Sequence, residues 1–317
     1  MKNEQIKLIV CNIKRERNHY KKKIVNYLKM KTTLLGFSLL VFLTTFGFSR
    51  NTYPQGIVPV MNNRPDSLQL KSSNEKFEKY FYLVHYYDRF KEPYTLNWHM
   101  TSAQAKFKSN NITYMGFLNY GQVLNEVAKP FNSIDMQYRA DVYPVFGDQN
   151  YAYFSYAFSQ SEIFPNHQLR GVFYHQFGKG FETSLGMYYM KWDRSFYIYT
   201  GSLAKYVKNY WFSLRPYIQF EGGNIYQSYL LFARRYFETP DDYINLMIGY
   251  GSVPDDQAYL YNFENIYSLE SINFQINYQK RLHSWLFLIG AGLKLEEYTT
   301  DKTRNHWRFE LGVSYKL

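Results

Sequence analysis

"RFELGVSYKL", Arg308 to Leu317, carries strict alternation to its last residue. With the preceding tryptophan, Trp307, Phe309, Leu311, Val313 and Tyr315 share one parity; Arg308, Glu310, Gly312 and Ser314 share the other. A period of two marks a β-strand with one apolar and one polar face. Domains commonly trail a loose tail past their last element. Here the strand runs to Leu317, and the expectation is that its end is itself needed.

Upstream, the same alternation recurs about fourteen times between residues 78 and 316, with twelve strands as the alternative if the first two are misread. In "SINFQINYQ" (Ser271 to Gln279), Ile272, Phe274, Ile276 and Tyr278 oppose Ser271, Asn273, Gln275, Asn277 and Gln279. In "IDMQYRADVY" (Ile134 to Tyr143), Ile134, Met136, Tyr138, Ala140 and Val142 oppose Asp135, Gln137, Arg139 and Asp141. The runs are long for soluble strands of about 5–6 residues. They match tilted crossings of a hydrocarbon layer.

Composition points the same way. Aromatic residues are 21% of 317, with 34 Tyr and 26 Phe, yet mean hydropathy is negative. An aromatic, alternating and on average polar chain fits a membrane β-barrel better than a soluble sandwich. The formal charge is +11, but residues 1–50 hold eleven bases against Glu4 and Glu16. The remainder has 26 bases and 24 acids. The excess sits in the leader, and no nucleic-acid partner is expected.

Residues 1–50 read as that leader. "MKTTLLGFSLLVFLTTFGFS" (Met30 to Ser49) has a basic start, an apolar run from Leu34 to Phe48, and the small residues Gly47 and Ser49. This is the layout of a secretory signal peptide, with Met30 as the translation start and cleavage near residues 47–52. The single cysteine, Cys11, leaves with it, so no disulfide or thiolate metal site is expected. Residues 51–76, rich in Pro, Asn and Ser, read as a periplasmic linker or a plug. Residues 77–317 read as the barrel.

Connections support an up-and-down topology with both termini in the periplasm. The short turns "KSNN" (Lys108 to Asn111), "GKG" (Gly178 to Gly180), "VKN" (Val207 to Asn209) and "LHS" (Leu282 to Ser284) fall in periplasmic slots. "LNEVAKPF" (Leu124 to Phe131), "SVPDDQAYLYNFENIY" (Ser252 to Tyr267) and "YTTDKTRN" (Tyr298 to Asn305) are read as long surface loops. The C-terminal pattern of Glu310, Gly312, Tyr315 and Leu317 resembles the signal by which bacterial outer-membrane barrels are handed to the assembly machinery. Pairing of this last strand with the first would close the barrel and leave no bare edge.

The central stretch from Asp141 to Met190, "YTGSLAKYVKNYWFSLRPYI" (Tyr199 to Ile218), "LLFARRYFETPDDYINLMIGYGS" (Leu230 to Ser252) and the C-terminal strand pair resemble the YaiO family of outer-membrane β-barrels. The resemblance spans roughly Phe77 to Leu317. It implies a Gram-negative outer-membrane location and an association with polysaccharide or with its synthesis and export proteins.

Alternation nominates Asp135, Gln137, Arg139, Asp141, Glu182, Arg215, Asn273, Gln275, Lys294, Glu296, Arg308 and Glu310 as lumen-lining, with Asn245 and Asn277 beside them. Trp211 and Tyr217 are candidate platforms for sugar rings. Trp285, Phe287, Trp307, Phe309 and Tyr315 belong to the lipid-facing parity. Mixed charge argues for cross-strand pairing inside the barrel rather than a single-sign ion pore. Two functions stay open: a conduit or display component for a saccharide, and a closed structural or adhesive barrel working through its surface loops. A barrel-embedded lipid- or glycan-modifying enzyme is the weaker third. Mature histidines lack zinc-protease spacing, the serine of "GYGSVPD" (Gly249 to Asp255) lacks a strand–turn–helix setting, and no phosphate-binding loop is present. No cofactor or metal is expected, and the partners expected besides polysaccharide are outer-membrane lipid and the assembly machinery.

Overall fold

The computed structural model describes residues 77–91, 95–109, 111–125, 133–160, 163–192, 194–221, 223–252, 270–299 and 302–317. The leader, the 51–76 segment and residues 253–269 lie outside the described residues. The first seven strands are β1 (Phe77–Lys91), β2 (Thr95–Ser109), β3 (Ile112–Asn125), β4 (Ser133–Phe146), β5 (Asn150–Ser159), β6 (His167–Phe177) and β7 (Phe181–Lys191). The second seven are β8 (Ser195–Val207), β9 (Tyr210–Glu221), β10 (Asn224–Tyr236), β11 (Tyr243–Gly251), β12 (Ser271–Leu282), β13 (Trp285–Thr299) and β14 (Lys302–Lys316).

Fourteen strands, not twelve, form one closed antiparallel barrel. Each strand pairs with its sequence neighbours, and β1 pairs with β14 from Tyr80–Lys316 to Phe90–His306. Closure removes both sheet edges, so every strand finds hydrogen-bonding partners on two sides. An even strand number brings both barrel ends of the chain to one rim. There Leu317 N donates to Lys79 O at 2.9 Å and Lys316 N to Ser284 O at 2.8 Å.

The faces are inverted relative to a soluble barrel. In β12, Ile272, Phe274 and Tyr278 are exposed on the outside while Gln275, Asn277 and Gln279 are buried on the inside. Leu185, on an outward parity, is 75% exposed. Apolar outside and polar inside is the arrangement a lipid solvent selects.

Connections at the rim holding the termini are tight. Lys208 (φ 51°) and His283 (φ 58°) take the left-handed region in two-residue turns, where the twist of a hairpin requires positive φ. The six-residue link from Phe237 to Asp242 is the longest at this rim. At the other rim the β11–β12 connection is long, as expected, but several are short. The expected "YTTDKTRN" loop shrinks to residues 300–301, because β13 runs to Thr299 and β14 starts at Lys302. Its polar residues are still strand residues: alternation continues past the point where apolar content falls.

Candidate functional site: the inner wall

Every β-strand delivers alternate side chains inward, and these make two kinds of surface. One is apolar and aromatic. Met115, Phe117, Tyr143, Tyr153, Tyr174, Met190 and Met247, among others, form a continuous cluster running from β3 to β11. The other is polar and charged, and it concentrates around the closure seam and the middle of the barrel.

At the seam, Asp88 of β1 is 2% exposed. Arg308 of β14 grips it with two bonds, Nε to Oδ1 at 2.7 Å and Nη2 to Oδ2 at 2.9 Å. His306 Nε2 lies 2.7 Å from the same carboxylate, its ring stacked on Phe90 at 4.0 Å. One step along, Glu296 bridges Lys294 at 2.7 Å and Arg304 at 2.5 Å. A paired bidentate guanidinium is what allows a carboxylate to be buried here.

Deeper, Asn277 Nδ2 donates to Glu310 Oε2 at 2.7 Å. These residues sit on β12 and β14, two strands apart. Gly290 of β13 lies between them, in register with both. A Cβ on Gly290 would stand 2.1 Å from Asn277 Nδ2 and 3.0 Å from Glu310 Oε2, so the missing side chain is what permits the contact. On β4, Arg139 donates to Asp141 at 3.0 Å and stacks over Phe117 at 3.7 Å. The hydroxyls of Tyr143 and Tyr153 approach the same Asp141 oxygen at 3.3 and 3.5 Å.

The twelve residues nominated from alternation all lie on the inward parity, with Gln137, Arg139, Asp141, Glu182, Arg215, Gln275, Glu296 and Glu310 buried. Asp135, Asn273, Lys294 and Arg308 are half-buried. Glu182 accepts from Tyr151 at 3.0 Å and Gln176 at 3.3 Å. Arg308 reaches across the seam to Asp88, 220 residues away in sequence. Asp88, Arg304 and His306 are not among the nominated residues: the β1–β14 register brings Asp88 to His306 and Arg308, and the β13–β14 register brings Arg304 to Glu296. Tyr217 is buried and Trp211 half-buried on the inner face. Trp285, Phe287, Trp307, Phe309 and Tyr315 are exposed outside.

The wall of β9–β11 differs from the seam. Arg215 and Arg234 are buried among rings: Arg215 donates to Tyr174 OH at 3.4 Å, and Arg234 lies 4.8 Å from the Trp211 ring and 5.1 Å from those of Tyr236 and Tyr243. Arg234 also donates to Tyr236 OH. In register with Arg234 on the next strand sits Asn245, 0% exposed. Arg234 Nε, Arg215 Nη1 and both amide atoms of Asn245 are buried without a hydrogen-bond partner.

At the rim away from the termini, the β5–β6 connection turns inward. Ile163 and Phe164 pack with Phe90, Leu96, Trp98 and Val123. A Cβ on Gly121 would come within 2.7 Å of the Phe164 ring. Backbone closure at the base of this connection is made by Ser159 N and Asn166 O at 3.1 Å.

The chain matches the family model of the YaiO membrane beta barrel domain over residues 78–256, more than half its length. The chain belongs to this family. The match ends before β12, and β12–β14 complete the YaiO barrel in the structure. No curated protein matches the chain. Among solved structures, it is similar to the outer membrane protein OprD from Pseudomonas aeruginosa at 8% identity and TM-score 0.41, covering 80% of this chain and 96% of that one. OccK7 (OpdD) of Pseudomonas aeruginosa aligns at 8% identity and TM-score 0.40, covering 77% and 99%. OmpF of Salmonella typhi, solved with daunomycin, aligns at 10% and 0.41, covering 76% and 97%. The protein is an outer-membrane β-barrel. Outer-membrane barrels keep their tight turns on the periplasmic side, so the rim with both termini is the periplasmic one.

Proposed function

We propose that this YaiO barrel is a narrow conduit for an acidic saccharide, constricted at its extracellular mouth by the inward-turned β5–β6 connection. The observation that carries it is the pair Arg234 and Asn245. Buried polar atoms in folded proteins almost always have partners, and leaving one unmade costs roughly 1–3 kcal/mol. At Arg234 and Asn245 a guanidinium N–H and a whole amide lie side by side without a partner in the protein. A wall that hands a hydrated, anionic solute along needs such groups. Rings of Tyr174, Tyr217, Tyr243 and Trp211 supply flat apolar faces for sugar rings, and the guanidinium groups supply charge for a carboxylate. An association with polysaccharide rests on this pairing of rings and cations.

A second reading keeps the barrel closed and places its role in the surface loops. It is favoured by the burial of inward side chains and by the ion pairs that fill the seam. Planar-bilayer conductance of the protein from Asn51 onward separates the two. The conduit predicts small channels that prefer anions and are blocked by an oligogalacturonate more strongly than by a neutral malto-oligosaccharide. In Arg215→Ala/Arg234→Ala the preference and the block should weaken together. A folded, heat-modifiable barrel with no conductance would establish the closed barrel instead.

A further inference from the structure

Polar side chains also gather on the outer wall, where lipid is the solvent. Near the middle of β1 and β2, His85 Nδ1 lies 2.9 Å from Thr101 Oγ1, and His99 Nδ1 lies 3.5 Å from His85 Nε2. Toward the extracellular rim, the Tyr87 ring packs on His99 at 4.8 Å and its hydroxyl donates to Asn97 Oδ1 at 2.8 Å. Arg89 follows, exposed, at the top of the column. All of these have the outward parity of Phe81 and Leu83.

Beside the column lies a groove of about 600 Å³ that crosses the closure seam. His85 and Thr101 stand at its upper end, and Leu83, Phe287, Ile289 and Leu311 make its walls. From there it slants toward Tyr278 and Lys280, near the periplasmic end of β12.

We infer that the column and groove bind one outer-leaflet glycolipid of the phosphorylated, hydroxyacyl class to which lipid A belongs. Arg89 meets the anionic headgroup, the imidazole and threonine cluster hydrogen-bonds an ester or hydroxyl oxygen of an acyl chain, and the groove takes the chain itself. Ionisable groups on a lipid-facing surface are costly and mark function when present. The His85–Thr101 and His99–His85 contacts offset part of that cost. His99 makes no other hydrogen bond among the described residues, which leaves Nε2 turned to an external partner. The depth selects the ligand class. An unsubstituted acyl chain offers nothing to hydrogen-bond two rows below Arg89, whereas a hydroxylated or ester-branched chain does. Backbone N–H groups beside Thr101 are committed to the β1–β2 and β2–β3 ladders, so recognition falls to the side chains of the column.

Native mass spectrometry of the refolded full chain in detergent tests this. The probes are bis-phosphorylated lipid A and, at equal concentration, palmitoyl-oleoyl phosphatidylethanolamine. One lipid A should be retained in preference to the phospholipid. His85→Leu/His99→Leu/Thr101→Val should lower retention about tenfold or more, equivalent to 1.4 kcal/mol per decade, and Arg89→Ala should lower it independently. Heat-modifiability on a gel reports folding of each variant; the Arg89→Ala and phospholipid arms decide the matter even if the triple variant fails to fold. Equal retention of both lipids, or unchanged lipid A retention in the folded variants, overturns the site. Conductance plays no part in this readout, so the conduit and the lipid site stand or fall separately.

Discussion

Asp88 shows how one buried charge organises the seam. Its carboxylate is held by Arg308 and sits against His306, and removing it takes the bidentate carboxylate from the half-buried Arg308. Stripping one partner from such a pair typically costs about 3–5 kcal/mol, while replacing both by apolar groups of similar size costs far less. Asp88→Ala should therefore lower the unfolding free energy of the refolded barrel by an amount of that order, read as a lower urea midpoint. Asp88→Leu/Arg308→Met should recover much of the loss. Equal midpoints for wild type and Asp88→Ala would show that the pair carries no stability. Part of the residue-level picture is legible from sequence. Arg139 with Asp141, and Lys294 with Glu296, are two apart on one strand, so alternation alone puts each pair on one face. Asp88 with Arg308 is not legible in this way, because the contact exists only once β1 and β14 are in register.

At the scale of the element, strand existence follows from alternation and strand ends follow from hydrogen bonding. The stretch around Tyr298 to Asn305 loses apolar content and reads as a loop, yet β13 and β14 continue through most of it, since a paired backbone does not need apolar side chains to extend. The β5–β6 connection is the opposite case. Ile163 and Phe164 look like ordinary loop hydrophobes, and only the fold shows them packed on Trp98 and Val123 inside the mouth. Truncating both, in Ile163→Ala/Phe164→Ala, removes two plugs of several methylene equivalents from the constriction. Single-channel conductance should rise relative to wild type, with anion preference kept because Arg215 and Arg234 lie elsewhere on the wall. Unchanged conductance would mean that the constriction is made by other parts of the chain.

For the whole molecule, the last strand closes the barrel. Leu317 and Lys316 donate backbone bonds to Lys79 and Ser284, Tyr315 packs on Trp285 at 4.8 Å, and Glu310 reaches Asn277 over Gly290. Deleting Tyr315–Leu317 removes these two backbone bonds, of about 1 kcal/mol each, an aromatic pair of about 1 kcal/mol, and the ladder pairing of Tyr315 and Lys316 with β1 and of Tyr315 with β13. The folded, heat-modifiable fraction should fall and the unfolding free energy should drop by at least roughly 3 kcal/mol, seen as a lower urea midpoint. Retention of both would show that the end of the strand is dispensable for closure. The amino-acid sequence by itself determined the class and the face each strand residue takes, because a period of two is a local property that backbone geometry enforces residue by residue; closure settled fourteen strands against twelve. Tertiary structure alone decided who meets whom: Asp88 with Arg308, Asn277 with Glu310 across a glycine, Arg234 beside Asn245, and the outward His85–Thr101–His99 column beside its groove. Those contacts depend on register and closure, which are set jointly by all fourteen strands and by no single stretch of them.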